Sequence, residues 1–254
     1  MAGNLKGWYA GDMPHARDFA PAAAQAILFT PEEGLSVPRL MRELAPRWQR
    51  FDGAPTVLPP VPEGLPGDFP RVTLVSADGR WRFDAASARA TVTCQATPDI
   101  AEIPTTRAEF LAEAAAMLLE YRAAFRMRVG RLAAISTSAA PSATPGVELA
   151  RHFCQDRWQA QPFNRPEAFE LHAHKRYDIR GWGAVNSWMR VKTGHLTRPG
   201  GAQTPIIVTE QDLNTPPEQA PTKDYTDEQI AAFFAMADGE FATILGLYFP
   251  EATQ

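Results

Sequence analysis

The sequence predicts an α+β fold of antiparallel sheets with long helices packed across one face. Three observations predict it. Asp78-Gly79 is a two-residue hairpin turn between alternating strands. Thr106-x-x-Glu109 and Thr226-x-x-Gln229 are capping boxes, each opening a long helical run. The order strand, helix, three strands, capped long helix occurs twice along the chain, which suggests a duplicated βαβββα unit.

Residues 1–25 are rich in Gly, Ala and Pro without a period and read as an N-terminal arm. The first half is then 26–127 and the second 128–254, the two forming either separate sheets or one continuous domain. Ala26–Thr30 is an apolar run suited to a buried strand. Ser36 stands where it can cap a helix running to about Trp48, with Val37, Leu40, Met41 and Leu44 on one face. Residues 52–70, rich in Pro and Gly, form an extended loop. The Asp78-Gly79 turn places Leu74 across from Phe83, Val75 across from Arg82 and Thr73 across from Asp84, so that core and wet sides match. Ala90–Cys94 alternates as a further strand, and Thr106 opens a helix to about Phe125.

In the second half, Val129–Ser138 reads as a strand, and Thr144-Pro145 as the start of a short helix to about Trp158. Phe169–Lys192 is a hairpin and Pro205–Thr209 a strand. Thr226 opens a helix whose Ile230, Phe233, Phe234, Ala237, Phe241 and Ile244 lie on one side.

The totals exclude several classes. At 254 residues, 45% hydrophobic and 21% charged, the chain can build a core. It carries no uninterrupted apolar run of spanning length and no signal-peptide layout. Cys94 and Cys154 make no disulfide framework and read as small hydrophobes in a reducing, cytoplasmic setting. The net charge of −4 hides an asymmetry: Arg122–Arg198 holds 13 Lys/Arg against 5 Asp/Glu, and the remainder 12 against 24. A basic middle in an acidic chain suggests a local anion-binding face. No G-x-S-x-G, P-loop, G-x-G-x-x-G or H-E-x-x-H is present, and no cofactor is implied.

Three stretches occur in a particular order: FPRVTLVSADGRWRFDAASARATVTCQA (Phe69–Ala96), RVGRLAAISTS (Arg128–Ser138) after a long helix, and IIVTEQDLNT (Ile206–Thr215) before a C-terminal helix. Together they resemble the sporadically distributed bacterial family of proteins of about this length and unknown function. The resemblance implies a bacterial cytoplasmic protein and carries over no functional residue.

The candidate site is Phe169–Lys192. Polar-with-polar pairing and a three-residue loop Gly181-Trp182-Gly183 predict Asp178 across from Asn186, Arg176 from Trp188, His174 from Arg190 and His172 from Lys192. One face then offers Arg176, Arg180, Arg190 and Lys192 to phosphates or other anions, and Trp182 and Trp188 as stacking planes for nucleic-acid bases. The expected function is a non-enzymatic binding or assembly subunit with an anionic partner. One alternative is a small metal-dependent enzyme on His172 and His174, with His152 and Cys154 completing four ligands. The other is a protein–protein scaffold with no ligand. Glu210, Asp212 and Asn214 read as a strand end and solvated turn, with a carboxylate metal cluster as the alternative.

Overall fold

The Asp78-Gly79 turn sets its hairpin in the expected register. In the computed structural model, which describes residues 13–31, 34–58, 66–97, 103–155, 165–197 and 200–251, β3 (Pro70–Val75) and β4 (Trp81–Ala86) pair Thr73 with Asp84, Leu74 with Phe83 and Val75 with Arg82. The loop itself is four residues, Ala77–Arg80, where two were expected: Ser76 N–H donates to the Trp81 carbonyl and Gly79 N–H to the Ser76 carbonyl, and Gly79 takes a positive φ of 71°, which glycine adopts without steric cost. β5 (Arg89–Gln95) continues the meander, and β2 (Thr56–Val57) is a two-residue strand on β3 within the expected loop.

β1 (Ala20–Phe29) begins well before the expected Ala26, taking in residues assigned to the arm. It lies between β5 and β6 (Arg131–Pro141), where small side chains suffice because neighbouring strands cover the backbone. The second half adds β7 (Glu170–Ile179), β8 (Gly183–Thr197) and β9 (Gln203–Asn214). Among the described residues nine strands form one antiparallel sheet in the order β2-β3-β4-β5-β1-β6-β9-β8-β7. Moving outward from the β1/β6 seam, the neighbours are β5, β4 and β3 on one side and β9, β8 and β7 on the other.

α1 (Val37–Glu43) is shorter than expected, and Ser36 occupies the N-cap position without a side-chain cap bond. Pro46 disfavours helical backbone at Ala45, so the chain turns off while Trp48 stays buried. α2 (Arg107–Phe125) and α4 (Asp227–Tyr248) have complete capping boxes at Thr106/Glu109 and Thr226/Gln229. α3 (Pro145–Phe153) starts at the expected proline; the expected end near Trp158 lies outside the described residues.

α2 and α4 run antiparallel against each other. Arg107 near the start of α2 donates to Asp238 at 2.6 Å, and Arg122 near its end pairs with Asp227 at the start of α4. α2 also contacts β1 and β5, and α4 contacts β6. A single buried cluster joins Ala24, Ala26 and Leu28 of β1, Phe83 of β4, Val92 of β5 and Leu132 and Ala134 of β6 to Phe110 and Leu118 of α2 and Phe233, Phe234 and Phe241 of α4. α4 is long and apolar enough to cross a membrane by length and composition, yet these three phenylalanines are fully buried in that cluster.

Candidate ligand-binding face of the β7–β8–β9 strands

Alternation sorts the second-half strands into two faces. Odd positions of β7 turn toward α4: Tyr177 donates its hydroxyl to Glu240 at 2.8 Å, and Tyr177 and Ile179 pack on the main core. Even positions share the other face with the even positions of β8 and β9. The registers build a grid there. In one row Glu210, Arg190 and His172 stand side by side. In the next come Asp212, Trp188 and His174, and in the third Asn214, Asn186 and Arg176.

This register corrects the expected one. His174 lies across from Trp188, His172 from Arg190 and Arg176 from Asn186, a shift of two residues. The loop is three residues long as expected, but it is Arg180-Gly181-Trp182, closed by the Ile179/Gly183 pair and by Trp182 N–H donating to the Ile179 carbonyl at 3.0 Å. Trp182 decides the shift. Its ring stacks on Tyr225 at 5.8 Å and 12° and meets Phe233 at 5.4 Å, so burying it against α4 pulls the turn back by one residue. A shift of two leaves every side chain on its own face, so alternation could not distinguish the two registers.

Trp182 thereby leaves the stacking set and packs, half-buried, against the core. Arg180 is exposed at the hairpin tip. The expected pairing of Arg176 with Trp188 is replaced by two other contacts. The His174 ring stacks on Trp188 at 4.2 Å and 20°, and the Arg190 guanidinium lies 5.8 Å from the Trp188 ring centroid. Arg176 instead pairs with Glu218 at 2.5 Å, and Arg190 pairs with Glu210. Lys192 is exposed across from Glu170, which accepts from His172 at 2.7 Å. That bond holds the Glu170 carboxyl below its ordinary range, and its own backbone amide, then Arg176, does the same for Glu218.

The four-ligand metal set does not assemble. His152 contacts the Tyr248 carbonyl at 2.6 Å and stacks on Phe249 at 5.6 Å, at the end of α4. Among the described residues no group of three or more His, Cys, Asp or Glu could hold a metal ion.

The Glu210–Asn214 stretch is not a turn. It completes β9, an inner strand between β6 and β8. Asp212 accepts from Asn214 at 2.9 Å, and Asn214 accepts from Arg131 at 3.1 Å. Burial raises the Asp212 pKa, while the Asn214 bond and the charges of Arg131 and Arg190 oppose that rise. The signal was in the sequence: Ile207, Thr209, Gln211 and Leu213 continue the period-two pattern, and all four are buried. The grid face presents a stacked imidazole–indole pair flanked by guanidinium groups and carboxylates. No protein-family model matches the chain, and no curated protein matches it.

Proposed function

We propose that this chain is a non-enzymatic binding or assembly subunit of a bacterial cytoplasmic system, with the β7–β8–β9 grid as its working surface and an anionic partner as its ligand. The observation that carries this reading is the placement of Arg176, Trp188, Arg190 and Lys192 on one face of two adjacent strands. An incoming phosphate or carboxylate displaces Glu218 and Glu210 from the guanidinium groups. The Arg176–Glu218 pair is exposed and the Arg190–Glu210 pair half-buried; ion pairs open to solvent contribute little to stability, so the exchange costs least at Arg176. The Trp188–His174 stack supplies an aromatic edge for a base or a planar side chain.

The test is titration of a labelled single-stranded oligonucleotide at low salt. Three cationic contacts predict that log K falls with log[salt] with a slope of about −2. Arg176→Ala with Arg190→Ala should weaken binding about tenfold or more and flatten that slope. Absence of binding at low salt overturns the nucleic-acid form of the reading.

A second reading has its own observation. Glu210 and Glu218 already occupy two guanidinium groups, so the grid is mixed in charge, which suits a protein surface better than a polyanion. A purified partner protein whose binding survives both arginine substitutions would favour that scaffold.

The same proposal extends to the architecture: the halves are copies of one βαβββα unit joined at the β1/β6 seam, each with its long helix across the same sheet face. The matching outward neighbours from the seam support it, as do the matching positions of α2 and α4 along the chain.

A further inference from the structure

The two ends of the sheet differ. One ends in the two-residue β2, the other in the ten-residue β7, every residue of which is exposed or half-buried. Among the described residues β7 pairs with β8 on one side and with nothing on the other. Such an edge presents a row of backbone donors and acceptors ready for another strand.

We propose that the free edge of β7 pairs antiparallel with β7 of a second copy of this chain, forming a two-fold dimer with Ala173 opposite its own copy. Charge selects both the occupant and the register. β7 is acidic at its start, at Glu170, and basic at Lys175 and Arg176. An antiparallel copy therefore brings unlike charges together. With Ala173 on the axis, Glu170 faces Arg176 at both ends, Phe169 faces Tyr177 and Leu171 faces Lys175. No like-charged carboxylate or ammonium pair is opposed. A shift of two residues in one direction places Glu170 against Asp178, and a further shift places Lys175 against its own copy, and like charges directly opposite are destabilising; a shift of two in the other direction places Glu170 against His174 and Arg176 against Ala168, losing both Glu170–Arg176 pairs. Odd offsets put grid residues against core-facing ones and are excluded. Glu170 and Arg176 have side chains 58% and 49% exposed, so both can exchange His172 and Glu218 for the copy. Beside this edge a groove of about 210 Å³ between β7–β8 and α4 is lined by Ala173, Met189 and Ile244 and by Leu247, which is 74% exposed. Leu171 of the copy would stand on that side of the sheet.

Sedimentation of the full chain at low salt should show a reversible dimer. Glu170→Arg turns both symmetry-related contacts repulsive and should raise the dissociation constant about tenfold or more. The exchange Glu170→Arg with Arg176→Glu should restore the dimer, with far-ultraviolet circular dichroism confirming that each variant is folded. Ala173→Cys should form an intermolecular disulfide on mild oxidation, because its copy is directly opposite at roughly 5 Å between Cβ atoms. Leu171→Cys, about 13 Å from its copy along the strands, should not; the parent chain with Cys94 and Cys154 is the control. A parent chain that sediments as a monomer at every attainable concentration overturns the proposal, as does a dimer indifferent to Glu170→Arg. No ligand is present in these measurements, so their outcome is independent of whether the grid binds an anion.

Discussion

At Asp212 a carboxyl group is held near the end of β9 beside Trp188, and burial lifts its pKa above the ordinary aspartate value. The folded protein therefore holds this proton more tightly than the unfolded chain. The stabilisation is complete below the unfolded value of about 3.9 and is lost as the pH rises through the higher folded value. Asp212→Asn keeps an oxygen to accept from Asn214 and removes the buried charge. The variant should match the parent in urea unfolding at acid pH and exceed it in stability at neutral pH; parallel pH profiles for the two would contradict this. At Cys94 burial pushes the thiol pKa up to about 12, which fits the small-hydrophobe role read from composition. Asp212 was harder to read. Its alternation with Glu210 and Asn214 was visible, but an acidic run before Pro216-Pro217 also suits a turn. Only the strands on either side, β6 and β8, leave it half-buried.

The two hairpins show what an element can and cannot reveal about itself. The first hairpin reaches its expected register through a four-residue loop, Ala77–Arg80, in place of the two-residue Asp78-Gly79 turn; both loops have even length and share one centre, so every cross-strand pair is the same. The Gly181–Gly183 tip allows two three-residue loops, because both glycines can take positive φ; here they lie at 82° and 114°. The choice between them is made by Trp182 docking on Tyr225 and Phe233, residues more than forty positions away. Trp182→Ala should destabilise the protein by about 2 kcal/mol, below the range for a fully buried tryptophan because this one is only half-buried. Trp182→Phe should recover part of that loss. Denaturant midpoints of the two variants check both statements, and a neutral Trp182→Ala would remove the explanation of the register. α1 makes the complementary point: its apolar positions were legible, but a proline at 46 ended the helix before the pattern did.

Across the whole molecule, the β1/β6 seam makes one sheet of two halves, and the main core draws from α2 and α4 together. Unfolding should therefore be a single transition. Trp48 and Trp81 report the first half, Trp182 and Trp188 the second. Fluorescence and circular dichroism curves in denaturant should coincide, and two separated transitions would show that the halves fold independently.

The sequence by itself determined the class of the fold, the strand hairpins, the two capped helices and the sidedness of β7 and β8, since each depends on periodicity and turn or cap chemistry within a short window. It also identified Arg176, Trp188, Arg190 and Lys192 as sharing one face. The tertiary structure alone decided the β1/β6 seam, the inner position of β9, the packing of Trp182 against the core and the partners of each arginine. These depend on contacts between distant segments, and a shift of two residues in a strand leaves no trace in the alternation that a sequence displays.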